Sequence, residues 1–153
     1  MIESLQNEQV KYVVSLQRPK AREEAQLFVV EGWRFVEEAV SRKAPIKKVF
    51  VCQEHETPEW KFLHQKLCEQ SIPFEEVSER VLRKMSATEE PQGILAVVRQ
   101  TNNSWTDFQI DRQTVLLILD GIQDPGNLGT ILRTALASGV RHVCLTPGTV
   151  DLS

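Results

Sequence analysis

Cysteine is scarce in this chain. Cys52, Cys68 and Cys144 are odd in number and far apart. That excludes a disulfide framework and fits a reduced, cytoplasmic setting. Long apolar runs are missing too. No stretch nears the roughly 20 residues that cross a bilayer, and Met1-Ile2-Glu3-Ser4 lacks the charged-then-apolar pattern of a secretory signal. Positive charge is not in surplus either. The 18 Lys and Arg are outnumbered by 21 Asp and Glu, for a net charge of −3. A uniformly basic, nucleic-acid-coating surface is therefore excluded, and phosphate contact would require a local patch. Metal-ligand sets are equally thin. His64 and Cys68 lie four apart on a helical pattern, a spacing that can hold a metal, but no further ligand joins them and no metal is expected. Glu89-Glu90 has no identifiable basic or hydroxyl partner and reads as solvated loop. Internal repeats, low-complexity tracts, a Walker loop and a dinucleotide Gly-x-Gly-x-x-Gly are all absent.

What the chain does hold is one long patterned stretch. Val115 to Leu119 is a short unbroken apolar run, as expected of a strand buried on both faces of a parallel sheet. Asp120-Gly121 stops it. Asp124-Pro125-Gly126-Asn127 is turn chemistry. The pattern predicts a helix from near Leu128, with Asn127 as N-cap and Gly139 just past its end. Leu128, Ile131, Leu132, Ala135 and Leu136 form the stripe expected to pack on the sheet. Thr130, Arg133 and Thr134 fall outside it, so Arg133 points away from the core, about two turns into the helix. His142 to Thr146 is the next strand, with Cys144 inside it as core. Strand, helix, strand at this spacing is a right-handed βαβ unit.

Ahead of it, strands alternate with helices over residues 1–99, the mark of an α/β domain. Asn7 opens an amphipathic helix with Val10, Val13, Val14 and Leu16 on its apolar side. Arg18-Pro19-Lys20-Ala21-Arg22 breaks that helix as a loop exposing three cations, with Lys11 close by. Phe28 to Gly32 is a strand, and Trp33 to Arg42 a helix with Phe35, Val36, Ala39 and Val40 inward. Lys47 to Cys52 is a strand. A helix from Pro58 or Glu59 to Gln70 buries Trp60, Leu63 and Leu67. Ile72 to Val77 is a short strand near an edge, because Pro73 cannot donate to a ladder. Ser78 caps a helix from Glu79 to Met85. Ser86 to Gln92 is a loop, and Gly93 to Val98, apolar throughout, is a central strand. Residues 100–114 turn polar and read as a linker, with Trp105 to Phe108 as a short amphipathic piece.

The run from Asp120 to Ala135 resembles the first motif of the SpoU/TrmH family of RNA ribose 2′-O-methyltransferases, of the knotted SPOUT class. Family Asn and Arg positions fall on Asn127 and Arg133. Leu145 to Asp151 is similar to the family's loop after its second catalytic-domain strand. The opening helix, basic loop and Phe28-Val29-Val30-Glu31-Gly32 strand are similar to the family's N-terminal module. The resemblance implies an N-terminal α/β RNA-binding domain over 1–99, a linker over 100–114, and the first βαβ unit of a SPOUT (α/β knot) methyltransferase domain over 115–153, truncated before the knot. It implies S-adenosylmethionine as cofactor, RNA (ribosomal or transfer) as partner, and a homodimer in the longer family members. The later motifs that build most of the cofactor pocket have no counterpart in this sequence. The chain therefore reads as a fragment, expected neither to bind the cofactor nor to dimerise.

The resemblance also implies site residues. Lys11, Arg18, Lys20 and Arg22, with Arg34 added, are the expected RNA contacts; on residue types alone the same stretch reads as a solvated loop. Asn127 and Arg133 are the expected catalytic pair, where residue types alone would allow a plain strand-to-helix turn and a surface cation. A ribose hydroxyl is a poor nucleophile and must shed its proton near the transition state, while substrate alignment supplies much of the acceleration. Arginine is too weak an acid to serve as an ordinary base. Arg133 is thus expected to anchor an RNA phosphate and stabilise developing oxyanion charge, with Asn127 shaping the loop. The alternative is a non-catalytic RNA-binding module.

Overall fold

Asn7 starts the first helix as the sequence requires. In the computed structural model, which describes residues 1–52, 58–101 and 111–150, its side chain accepts a hydrogen bond from the Gln9 N–H at 2.8 Å and caps α1 (Glu8–Ser15). The expected cationic loop after it is instead a helix, α2 (Pro19–Ala25). The reason is the position of Pro19. At the first helical position proline gives up no needed N–H and its fixed φ suits the helix, so it starts one here instead of only breaking one. Gln26, at φ 51°, ends α2 in the left-handed region.

The chain continues through β1 (Leu27–Glu31), α3 (Trp33–Ser41), β2 (Ile46–Val51), α4 (Pro58–Glu69), β3 (Phe74–Glu76), α5 (Glu79–Met85) and β4 (Ile94–Arg99). The sheet runs β1-β4-β2-β3. β4 is central, antiparallel to both β1 and β2, while β2 and β3 are parallel. The unbroken apolar run of β4 follows from that place, since a central strand covered on both faces has no side for polar residues. β3 lies at the edge of the four strands. Ile2 extends it by a parallel bridge to Val77, taking the N–H of Ser78 and donating to Glu76.

Two apolar layers flank this sheet. One gathers Val10 and Val13 of α1, Leu16 at its C-cap, and Val81, Leu82 and Met85 of α5 over Phe50, Leu95 and Val97. The other gathers Val36 and Val40 of α3 and Trp60, Leu63 and Leu67 of α4 over Val49, Val51, Ile94, Ala96 and Val98. Phe35, expected inward, is 62 % exposed; α3 buries a stripe of Val36 and Val40 narrower than its apolar residue count.

The backbone divides into two units, whose described residues run from Met1 to Thr101 and from Asp111 to Val150. The linker expectation and its Trp105 to Phe108 piece fall mostly outside the described residues, as does Asp151. The second unit holds β5 (Leu116–Leu119), α6 (Pro125–Ala137) and β6 (His142–Leu145), with β5 and β6 parallel. This is the expected strand–helix–strand unit.

Three expectations of burial fail in it, the first being Cys144, which is only partly covered and not core. β5 is not buried on both faces: Leu119 is covered, but Leu116 and Ile118 are 38 % and 62 % exposed. One helix can cover one face of a two-stranded ribbon, and strand alternation leaves Leu116 and Ile118 on the other. The helical stripe is likewise narrower than expected, with Leu128 and Ala135 buried and Leu136 60 % exposed. Fully burying a large apolar side chain contributes about 1.5–3 kcal/mol. Among the described residues of this unit only Leu119, Leu128 and Ala135 are buried, against two full clusters in the first.

Candidate functional site

Asp124, not Asn127, caps α6. Its carboxylate accepts from the Asn127 N–H at 2.7 Å, and Pro125 takes the first helical position. The Asp-Pro pair explains the earlier start: an acceptor at the cap followed by a residue with no N–H to satisfy. Asp124 to Asn127 is thus the cap and first turn of the helix, and Asn127 is an exposed residue on that turn. Gly139, at φ 82°, follows the Ser138 cap as expected.

From Asn127 a ridge climbs the exposed flank in steps of three, through Thr130 to Arg133. Thr130 Oγ1 donates to the Gly126 carbonyl at 2.9 Å. Arg133 Nη2 donates to that same Thr130 oxygen at 3.1 Å. The guanidinium therefore folds back toward the helix start. It passes over Gly129, where a Cβ would lie only 3.1 Å from Arg133 Nη1. A glycine at 129 keeps that path open. Asn127, Thr130, Ile131 and Gly121 to Asp124 line an open depression of about 530 Å³.

The depression sits outside the carboxyl end of β5, where open parallel sheets hold their ligands. The chain after β6 returns to this end. Thr146 N–H bonds to Leu119 O at 3.0 Å, Val150 N–H to Ile122 O at 2.7 Å, and the Thr146 hydroxyl donates to the Asp120 carboxylate. Thr130, Asp120 and Thr146 had no assigned role in the sequence reading. Only Thr130 gave a signal, as a polar residue off the apolar stripe.

The expected RNA contacts are gathered in part. Lys11 pairs with Glu8 at 3.1 Å and Lys20 lies 3.9 Å from Glu24, all four side chains at least half exposed. Arg18 is exposed at the cap of α2. Arg22 is different. Its Nη1 donates to the carbonyls of Leu16 and Gln17 at 3.2 and 3.1 Å, closing the end of α1. Arg34 lies in the first turn of α3, which packs on the opposite face of the sheet from α1, so the structure does not bring it to Lys11.

Glu31, unassigned by the sequence reading, ends β1 and ties down the loop over 86–92. It accepts from the Ser86 hydroxyl, the Ala87 N–H at 3.2 Å and the Thr88 hydroxyl at 2.5 Å. Glu89 and Glu90 are exposed on that loop. His64 and Cys68 approach to 3.8 Å, and among the described residues no cluster of ligands suits a metal.

Residues 7–96 match the MRM3-like substrate binding domain, which is more than half of the chain. The chain belongs to the SpoU/TrmH family of RNA methyltransferases. Within this family it is 34 % identical over 150 residues to the 23S rRNA (guanosine(2553)-2'-O)-methyltransferase RlmP of Bacillus subtilis, covering 98 % of this chain and 56 % of the relative. It is 31 % identical to the human mitochondrial rRNA methyltransferase 3, over 85 % of this chain and 31 % of the relative. A crystal structure of an rRNA methyltransferase from Sinorhizobium meliloti with AdoMet bound superposes with a TM-score of 0.82 at 29 % identity, over 98 % of this chain and 55 % of that one. The chain thus spans about half the length of the two bacterial relatives and under a third of the human one. The family's fold is the mixed α/β arrangement expected here, and AdoMet is its cofactor. The depression at the β5 end is walled by the Gly121 to Asp124 loop and one flank of α6. Among the described residues no helix is long and apolar enough to cross a membrane.

Proposed function

We propose that this chain serves RNA ribose 2′-O-methylation in a cytoplasmic setting, with ribosomal or transfer RNA as substrate and AdoMet supplying the methyl group. Residues 1–99 engage the RNA, 100–114 link, and 115–153 form the first part of the methyltransferase domain. The observation that carries this reading is the ridge from Asn127 through Thr130 to Arg133, with the guanidinium held by Thr130 beside the depression.

A guanidinium keeps its charge at any working pH and presents a planar fork of donors. In this role Arg133 clamps a phosphate next to the target ribose and faces the negative charge that grows on its 2′ oxygen. Thr130 sets the direction of the fork, and Asn127 orients the chain at the mouth of the site. Lys11, Arg18, Lys20 and Arg22 supply the RNA patch, Arg22 while also bonding the end of α1, with Arg34 a separate contact on the opposite face. A homodimer belongs to the same proposal for the longer family members.

The test is a chimera in which residues 1–150 replace the aligned half of the Bacillus subtilis relative. It should transfer tritiated methyl from AdoMet to a 23S rRNA transcript at a ribose 2′ oxygen. The chain alone should bind the transcript and give no saturable heat with AdoMet. A folded chimera that binds both substrates and methylates nothing would remove the catalytic half of the reading and leave an RNA-binding module.

A further inference from the structure

A groove between α1 and β2 is lined by Tyr12, Lys47 and Lys48. Tyr12, the one tyrosine of the chain, stands 42 % exposed on α1. Beneath it lie the buried side chains of Val13, Phe50 and Val97, which floor a groove of about 350 Å³. That is the small end of the roughly 300–1,000 Å³ range of small-molecule pockets. Lys47 places its ammonium 5.5 Å from the Tyr12 ring centroid. Lys48 Nζ is held by Gln9 Oε1 at 2.6 Å and Glu75 Oε2 at 3.0 Å.

Both lysines line this one groove although they are adjacent in β2. Adjacent residues of a regular strand point to opposite faces. The register between β2 and β4 shifts between Ile46 and Lys48, so Lys47 falls at a bulge. Bulges re-aim side chains and are over-represented beside functional sites. Lys47 makes no ion pair among the described residues. Counting Lys11, which reaches the rim through Glu8, three cations meet two carboxylates there. The rim is therefore locally positive on an acidic chain.

We propose that this groove takes one unpaired nucleotide of an RNA, its base stacked on Tyr12 over the apolar floor and its phosphate on Lys47. Sequence-specific RNA recognition favours unstacked bases laid on aromatic rings, and a neighbouring cation adds backbone affinity. Gln9 stands at the same edge, with a side-chain amide able to meet a base. The inference rests on the RNA-binding reading above and adds the site and the nucleotide state.

Fluorescence anisotropy on the whole chain tests it, with a labelled RNA stem-loop and a fully paired duplex of the same length. The stem-loop should bind more tightly. Tyr12→Ala should weaken the stem-loop about tenfold, within the range of base–aromatic stacking, and leave the duplex nearly unchanged. Tyr12→Trp should restore binding, and Lys47→Ala should flatten the stem-loop's salt slope by about one unit. Tyr12 is exposed, so the core should tolerate its loss; should the variant unfold, Lys47→Glu and crosslinking of a 4-thiouridine stem-loop to the wild-type peptide carrying Tyr12 make the same test. Equal loss on both RNAs, no loss on either, or a preference for duplex overturns the proposal while the RNA-binding reading stands. In that case the lysine stems only cover apolar surface. A wild-type chain that binds neither RNA overturns both.

Discussion

Arg133 and Thr130 are joined by a hydrogen bond of 3.1 Å, and the same threonine oxygen donates to the Gly126 carbonyl. The charged tip of a long side chain is thus tied to the first turn of its own helix. An exposed arginine otherwise carries much rotamer freedom, which must be lost when it meets a ligand. Thr130 removes part of that loss in advance.

Arg133→Ala in the chimera should lower methyl transfer by roughly 10²- to 10³-fold, the range for removing one donor to a developing oxyanion. RNA affinity should hardly change, because the cationic patch of the first unit is untouched. Thr130→Val should fall between, with the guanidinium present but unsteered. Single-turnover rates and filter binding, measured on the same preparations, separate these effects. An Arg133→Ala chimera with normal transfer would end the assignment.

Arg22 and its neighbours should part company. Arg18→Ala with Lys20→Ala should flatten the salt dependence of RNA binding by up to about two units and leave the melting temperature alone, since both side chains are exposed. Arg22→Ala should lower stability by about 1 kcal/mol through the lost contacts to the end of α1. In a domain near 100 residues that is about 4–8 °C in melting temperature. Calorimetric melts decide, and an Arg22→Ala protein that melts like the parent would end its structural role at the close of α1.

Hydrogen exchange should separate the two units. Amides of β2 and β4 should be strongly protected and those of β5 and β6 should exchange fast, given the exposure of Ile118 and Leu136. Leu95→Ala, at a fully buried site, should cost about 2–5 kcal/mol. Ile118→Ala should stay within about 0.5 kcal/mol. Equal protection across both units would mean that the open face of β5 is covered in solution.

Local rules were enough to read much of this protein from its residues. The helix opening at Asn7, the cap at Ser78, the α5 span from Glu79 to Met85, the central place of β4 and the edge place of β3 follow from side-chain hydrogen bonding, apolar run length and a proline. So did the strand–helix–strand unit and the family, because the run from Asp120 to Ala135 carries its identity in residue order. Other features depended on what each residue meets in space. Asp124 took the cap from Asn127 because its carboxylate reaches a specific N–H. Pro19 began a helix where its presence promised a break. Arg22 gained a structural task besides its charge because the end of α1 offers carbonyls to it. Ile118 is open since one helix covers one face of two strands. The pairing of Lys47 with Tyr12 came from a bulge, a property of register between strands distant in sequence. Periodicity reports which face a residue is on; only tertiary structure decides what, if anything, stands against that face.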